Sequence, residues 1–170
     1  MENIIENKVA TSGLQVIDLS SLLKNVAVIG FDLKDYLFQD LILKEKDFRL
    51  QLKNNDWSKY SNAYVAIYCS TDALIPVWAY MLVASYLQPV AKRIKRCAIA
   101  ELYTDILISE IESIDYSQYK SQRVVIKGCS SDKVNESAYV AITSRLIPIA
   151  QSVMYGEPCS TVPIYKRKND

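Results

Sequence analysis

The chain has 170 residues, half of them hydrophobic, with 20 basic and 19 acidic side chains. That length and apolar share suit one domain with a real core and exclude a disordered chain, and a net charge of +1 leaves no basic surface for neutralising nucleic-acid phosphates. There is no histidine, which excludes Ser-His-Asp and Cys-His catalysis and any histidine metal ligand.

In chain order, Ile4, Ile5 and Val9 predict a weak helix over Asn3–Ala10, closed by Ser12-Gly13. Leu14–Leu19 reads as a short strand or an extended lead-in, and Ser20-Ser21 as a turn or cap. Val26–Phe31 is a compact β-rich run, followed by Asp32 as a helix N-cap for Leu33, Tyr36 and Leu37. Leu41-Ile-Leu43 is a short apolar run, a helix end or a short strand. Glu45–Asn54 predicts an amphipathic helix with Phe48, Leu50 and Leu52 as its apolar members, and Trp57–Tyr60 a loop whose aromatics fold over the core.

A strand from Ala63 then leads to a buried helix over Ala73–Leu87, with Pro76 in its first turn and Pro89 closing it. Arg93–Ala98 is the next strand; the basic cluster Lys92-Arg-Ile-Lys-Arg96 marks its entry rather than a nucleic-acid patch. Leu102, Ile106, Leu107 and Ile111 recur at helical spacing over Ala100–Ile114. The second strand–turn–helix segment runs from Arg123 to about Ile149, capped by Asn135 or Ser137. A final strand near Ser152–Tyr155 is expected to stop at the turn signal Gly156-Glu-Pro158, leaving a turn-rich tail.

The chain writes one unit twice. Val65-Ala-Ile-Tyr-Cys69-Ser-Thr-Asp72, Ala79-Tyr80 and Leu87-Gln-Pro89 answer to Val124-Val-Ile-Lys-Gly-Cys129-Ser-Ser-Asp132, Ala138-Tyr139 and Leu146-Ile-Pro148. One domain over 1–170 is expected, with related units at about 63–91 and 123–151 and a tail over 152–170. The alternation of strands and helices after Ala63 argues for right-handed crossovers and an α/β fold: a mainly parallel sheet flanked by helices, with a ferredoxin-like α+β arrangement as the alternative.

If the sheet is parallel, Cys69 and Cys129 lie at its carboxyl edge, where ligands of open α/β sheets sit. The return strand then brings Cys159 to them. Thiolates without histidine suit zinc or an iron–sulfur cluster, with Asp72, Asp132 or Glu157 as a fourth ligand. No Cys-x-x-Cys occurs, so a zinc knuckle or thioredoxin-type dithiol is absent. The bland alternative is that these are small buried residues at crowded strand ends; Cys97, outside the repeat, is assigned that role. Asp72 and Asp132 have helix capping as their competing role, and Tyr80, Tyr139 and Trp78 have packing. Ser70, Thr71, Ser130 and Ser131 offer a rival site, an anion nest with helix N–H groups, in which Gly128 permits close backbone approach and Ser160 adds a hydroxyl.

Met1-Glu-Asn-Ile-Ile-Glu carries no basic or apolar signal region, and no apolar run reaches the roughly 18 residues that span a bilayer. A cytoplasmic, membrane-free protein with reduced thiols is expected, so the four cysteines are not read as a disulfide framework.

Phe31-Asp-Leu-Lys-Asp, Leu41-Ile-Leu-Lys-Glu-Lys-Asp-Phe48, Trp78-Ala-Tyr-Met81, Val125-Ile-Lys-Gly-Cys129 and Tyr155-Gly-Glu-Pro-Cys-Ser-Thr-Val-Pro163 run through nearly the whole chain. On these strings it resembles domain-of-unknown-function family 2480, a group of Bacteroidetes proteins. The resemblance implies no catalytic residues. It implies a neighbourhood of iron–sulfur cluster assembly, and so assembly proteins as partners and a thiol role in sulfur or iron handling. Three functions stand as expectations: an accessory factor binding metal or cluster through Cys69, Cys129 and Cys159; a small-anion-binding protein or enzyme built on helix N-termini; and an adaptor with a Tyr-rich surface and no chemistry.

Overall fold

The computed structural model describes residues 13–128 and 132–168. The expected helix over Asn3–Ala10 lies outside them, as do Cys129 and Ser130. The class is α/β. The strands are β1 (Leu14–Asp18), β2 (Val28–Asp32), β3 (Tyr64–Tyr68), β4 (Arg93–Arg96), β5 (Arg123–Lys127), β6 (Ser152–Glu157) and β7 (Ser160–Lys166). The helices are α1 (Glu45–Asn54), α2 (Val77–Leu87), α3 (Ile99–Ser113) and α4 (Glu136–Leu146).

Two sheets form where one was expected. The first is ordered β1-β5-β6-β7, parallel except for β7; the second is ordered β2-β3-β4 and wholly parallel. The chain divides accordingly into an inserted unit, Asn25–Tyr103, and a host unit, Met1–Lys24 with Thr104–Asp170. The central strands β3 and β5 carry the apolar runs that parallel sheets bury on both faces: Val65, Ala66 and Ile67 in one, Val124, Val125 and Ile126 in the other, all buried.

The two units share one plan. Each runs strand, 3₁₀ turn, helix, 3₁₀ turn, strand, helix, strand. Adding 59 to the numbers of β3, Tyr64–Tyr68, gives β5, Arg123–Lys127, and the same shift carries α2 onto α4. Backbone detail follows the shift. The Asn62 N–H donates to the Val90 carbonyl at 2.8 Å, and the Ser121 N–H to that of Ile149 at 2.9 Å. Asn62 and Ser121 are also the left-handed residues that open β3 and β5, at φ 55° and 57°. Buried Ala79, Val83 and Leu87 answer to Ala138, Ile142 and Leu146. The repeat reaches the first strands as well: Phe31-Asp32-Leu33 and Ile17-Asp18-Leu19 each end a strand, and in each the aspartate caps a 3₁₀ turn.

The inserted unit is held by an aromatic stack on its sheet. Phe31 lies 5.1 Å from Tyr36 and 5.7 Å from Trp57, which in turn stacks on Tyr86 at 5.0 Å. Trp57 thus covers the core as its sequence position implies, with its Nε1–H donating to the Leu52 carbonyl at 2.9 Å. In α1, Phe48 and Leu52 are buried but Leu50 is exposed. The Leu41–Leu43 run forms a single antiparallel bridge, Phe38 to Ile42.

Three expectations are corrected. The helix expected from Ala73 starts at Val77, with Pro76 as its extended N-cap. A residue before proline is pushed out of the α region, so Ile75 cannot lead the helix. Neither Asp72 nor Asp132 caps: Pro76 stands at that position in α2 and Asn135 in α4. The tail after Gly156 is the edge strand β7, not a turn-rich segment; Pro163, which cannot donate to a ladder, is tolerated there next to an irregularity at Val153/Met154.

The paired left-handed residues make a stability prediction. A residue with a Cβ pays about 1–2 kcal/mol in that region, less for asparagine than for serine. Ser121→Gly is expected to raise the unfolding free energy by about 0.5–1 kcal/mol, and Asn62→Gly by less. Urea titration of both variants checks the order.

Candidate functional site

Parallel sheets gather chemistry at their carboxyl edge, and the host unit does so from three strand ends. Lys127, last in β5, lies with its Nζ 3.6 Å from an Asp18 carboxylate oxygen and 3.8 Å from one of Glu157. Asp18 ends β1 and Glu157 ends β6, so one cation bridges two carboxylates across the edge. The hydroxyl of Ser20 donates to Asp18, and its backbone N–H does so at 3.0 Å. These bonds hold the Asp18 carboxyl below its ordinary range, against partial burial and with help from Lys127.

Gly128 follows at φ 153°, in a space tight for a Cβ: it would stand 3.1 Å from the Tyr139 hydroxyl and 3.1 Å from the Leu19 Cβ, so both would have to give way. The approach expected of this glycine is to a ligand; the neighbours found against it are Tyr139 and Leu19. Beside it a cavity of about 460 Å³ opens between α4 and the β6–β7 hairpin. Its lining residues are Ile126, Val134, Val140 and Ile164 with Tyr139, Thr143, Tyr155 and Glu136. Tyr139 and Tyr155 meet edge to face with ring centres 5.5 Å apart. Glu136 stands in the first turn of α4, where a carboxylate suits the helix dipole.

The inserted unit repeats the edge with different chemistry. Asp32 Oδ1 accepts the Lys34 N–H at 2.9 Å and, across the edge, the Ser70 N–H at 3.0 Å. Burial pushes the Asp32 carboxyl up, but the bonds from Ser70 and Lys34 outweigh it and hold the carboxyl below the ordinary range. The Ser70 N–H is therefore taken up by a carboxylate of the protein itself. Cys69 is half-buried, its Sγ 3.3 Å from the Thr71 hydroxyl. A smaller groove of about 380 Å³ lies at the place equivalent to the host cavity: Ile67, Tyr80, Met81, Ala84 and Arg96 line it where Ile126, Tyr139, Val140, Thr143 and Tyr155 line the other.

The predicted site residues fall into both units. Cys69, Ser70 and Asp72 belong to the inserted unit; Gly128, Asp132, Glu157, Cys159 and Ser160 belong to the host unit. Cys159 is exposed in the turn between β6 and β7, where Glu157 pairs with Ser160. Cys97 is buried. Among the described residues no group of three or more cysteine, aspartate and glutamate side chains gathers to hold a metal ion. The common register also separates the repeated cysteines: Cys69 is the first residue beyond β3, whereas Gly128 takes that place beyond β5 and Cys129 follows it. Glu136, Val140, Thr143 and Ile164 were not singled out from the sequence. The signal that reaches most of them is the shift of 59 extended past the cysteines, which pairs Val140 with Met81 and Thr143 with Ala84.

A family model described as protein of unknown function (DUF2480) matches residues 3–167. The chain belongs to the DUF2480 family. No curated protein and no solved structure matches it. No helix among the described residues of this DUF2480 protein is long and apolar enough to cross a membrane.

The depressed carboxyls set the sign of an acid response. A carboxyl held low in the folded state stabilises the fold above its ordinary range, and that contribution is lost as pH falls through the folded value. Asp32→Ala is expected to cost about 1 kcal/mol at neutral pH, the scale of a lost helix cap, and less as acid protonates the wild-type carboxylate. Urea unfolding at pH 7 and pH 3 gives the two differences; an equal loss at both would show that the charge on Asp32 plays no part.

Proposed function

We propose that this DUF2480 protein is a cytoplasmic small-molecule-binding factor whose site is the host-unit cavity at the carboxyl edge of its sheet. The observation that carries this is the lining of that cavity: four aliphatic residues with Tyr139, Tyr155, Thr143 and Glu136, around a volume of about 460 Å³. A volume of several hundred Å³ with few convergent polar groups is the usual make-up of a ligand pocket. Glu136 is the one charged side chain in the lining. The pocket therefore favours a neutral or cationic ligand with an aromatic or aliphatic body, stacked on Tyr139 and Tyr155, with an N–H or O–H directed to Glu136 or Thr143.

The test is ligand-observed NMR with tyramine, benzylamine and indole at about 1 mM, a level that reveals millimolar contacts. Wild type is expected to bind the two amines more tightly than indole. Thr143→Phe, placed in the cavity wall, is expected to abolish binding while shifting stability by less than about 1 kcal/mol, since the site is only half-buried. Absence of binding by all three probes, or equal binding by Thr143→Phe, would sink the reading.

A second reading keeps the thiols as the working groups, in an accessory factor that binds a metal or cluster or handles sulfur for iron–sulfur assembly proteins. Its support is that Cys69 and Cys159 are free thiols reached by solvent, unlike Cys97, together with the Cys129 that the repeat places just beyond β5. Protein purified without chelator from iron- and zinc-supplemented cells is expected, on this reading, to carry close to one metal equivalent per site and to lose it in Cys129→Ser. A metal-free wild type would remove the ligand role.

A further inference from the structure

The host unit holds a second cavity, of about 420 Å³, at the amino end of its parallel strands. Three of its lining residues come from three neighbouring strands. Arg123 opens β5, Ser152 opens β6 and Lys166 closes the antiparallel β7. They are register partners: Arg123 stands opposite Ser152, and Ser152 opposite Lys166. Residues paired across strands put their side chains on one face of a sheet, so the three form a row with the serine in the middle. Met154, Pro163 and Tyr165 line the cavity beside that row. The irregularity at Val153/Met154 falls here too, and such bulges re-aim the side chains of an edge strand. Ile164 lines the first cavity, while its neighbours Pro163 and Tyr165 line this one. Successive residues of a strand face opposite ways, so β7 divides the two cavities.

The lining carries two cations and no acidic residue. Among the described residues neither Arg123 nor Lys166 has a carboxylate partner. A lysine on an edge strand has one simple use, to discourage pairing with other chains. Arg123 has no such use, because β5 is already paired on both sides, with β1 and β6. The fold does not ask for a cation there either. The shift of 59 puts Tyr64 of the inserted unit at the place of Arg123, and β7 has no counterpart in that unit.

We propose that this cavity binds a phosphate group, free or esterified to a small molecule. Two strand spacings of about 4.8 Å each separate the backbones of Arg123 and Lys166. That span is short enough for two long side chains to meet one anion above Ser152. A phosphate monoester carries about −1.5 to −2 charge near neutral pH, which matches two cations; a single carboxylate leaves one of them unanswered. The arginine fork suits two phosphate oxygens at once, the lysine adds a point charge, and the serine adds a hydroxyl donor. Met154, Pro163 and Tyr165 leave an apolar wall for the body of an ester. The site is separate from the cavity of the proposed function and stands without it.

The test is titration of the full chain, in low-salt buffer free of phosphate, followed by amide NMR shifts. The probes are phenyl phosphate, inorganic phosphate and benzoate. Phenyl phosphate is expected to bind with a Kd of about 1 mM or tighter, to shift the amides of Arg123, Ser152 and Lys166, and to bind about tenfold more tightly than benzoate. Arg123→Gln and Lys166→Gln are each expected to weaken it about tenfold, the scale of a lost charge-assisted hydrogen bond, with an unchanged circular-dichroism spectrum. Lys46→Gln, which removes an exposed cation of α1, is expected to bind like wild type. Inorganic phosphate as tight as phenyl phosphate supports the site with the free ion as its ligand; weaker inorganic phosphate supports it with an ester. Three results would overturn the proposal: no binding of either phosphate, benzoate as tight as phenyl phosphate, or a loss in Lys46→Gln equal to that in Arg123→Gln and Lys166→Gln.

Discussion

The parallel pairing of β1 with β5 is the constraint on which the host unit depends. Leu14 stands opposite Arg123 and Asp18 opposite Lys127, with the whole of Asn25–Tyr103 between them in the chain. Closing a loop of that length costs conformational entropy before any contact rewards it, though the cost grows only logarithmically with length. The inserted unit shortens the effective loop because it folds on local crossovers of its own: β2, β3 and β4 lie consecutively in its sheet and in its sequence. The host sheet needs β1 to complete the row beside β5, since without it Val124–Ile126 would be an edge strand with a fully apolar sequence. Such an edge invites pairing with other chains.

The duplication explains why two sheets form instead of one. Each copy of the plan makes a three-stranded parallel sheet, and neither sheet extends into the other. The host unit then adds β7, a strand with no counterpart in the inserted unit. That addition covers the outer edge of β6 and contributes Ile164 to the cavity wall. In the inserted unit the matching strand, β4, carries Arg93, Lys95 and Arg96 instead, and charged side chains on an edge strand discourage further pairing. One fold thus meets the edge problem in two ways, and the two choices produce a walled cavity in one copy and an open groove in the other.

Much of this was legible in the sequence because it rests on local rules. The period of Leu102, Ile106, Leu107 and Ile111 defines α3, and all four are buried. Asp32 announces its cap, and Asn135 does the same for α4. What was not legible depends on partners remote in the chain. That β1 pairs with β5 and not with β2 cannot be read from Leu14–Asp18, whose side chains suit either neighbour. The bounds of α2 were missed through a local rule given too little weight: a proline both opens a helix and forbids its predecessor from belonging to it. The cavity was missed because its lining is spread over β5, β6, β7 and α4, with no motif to join them.

The repeat was found through its cysteines, yet the cysteines are what the two copies share least. Gly128 occupies the place of Cys69, with φ 153° and the Tyr139 hydroxyl and Leu19 Cβ close against it. Cys129 is therefore one residue farther from its strand than Cys69 is from its own. The two cysteines thus differ by a residue in register, whereas Tyr80 and Tyr139, in strict register, each line the groove of their unit. The grooves lined by these tyrosines are the feature of the carboxyl edge that both units share in register. The differences around them, Arg96 for Tyr155 and Ala84 for Thr143, are where the linings of the two copies diverge.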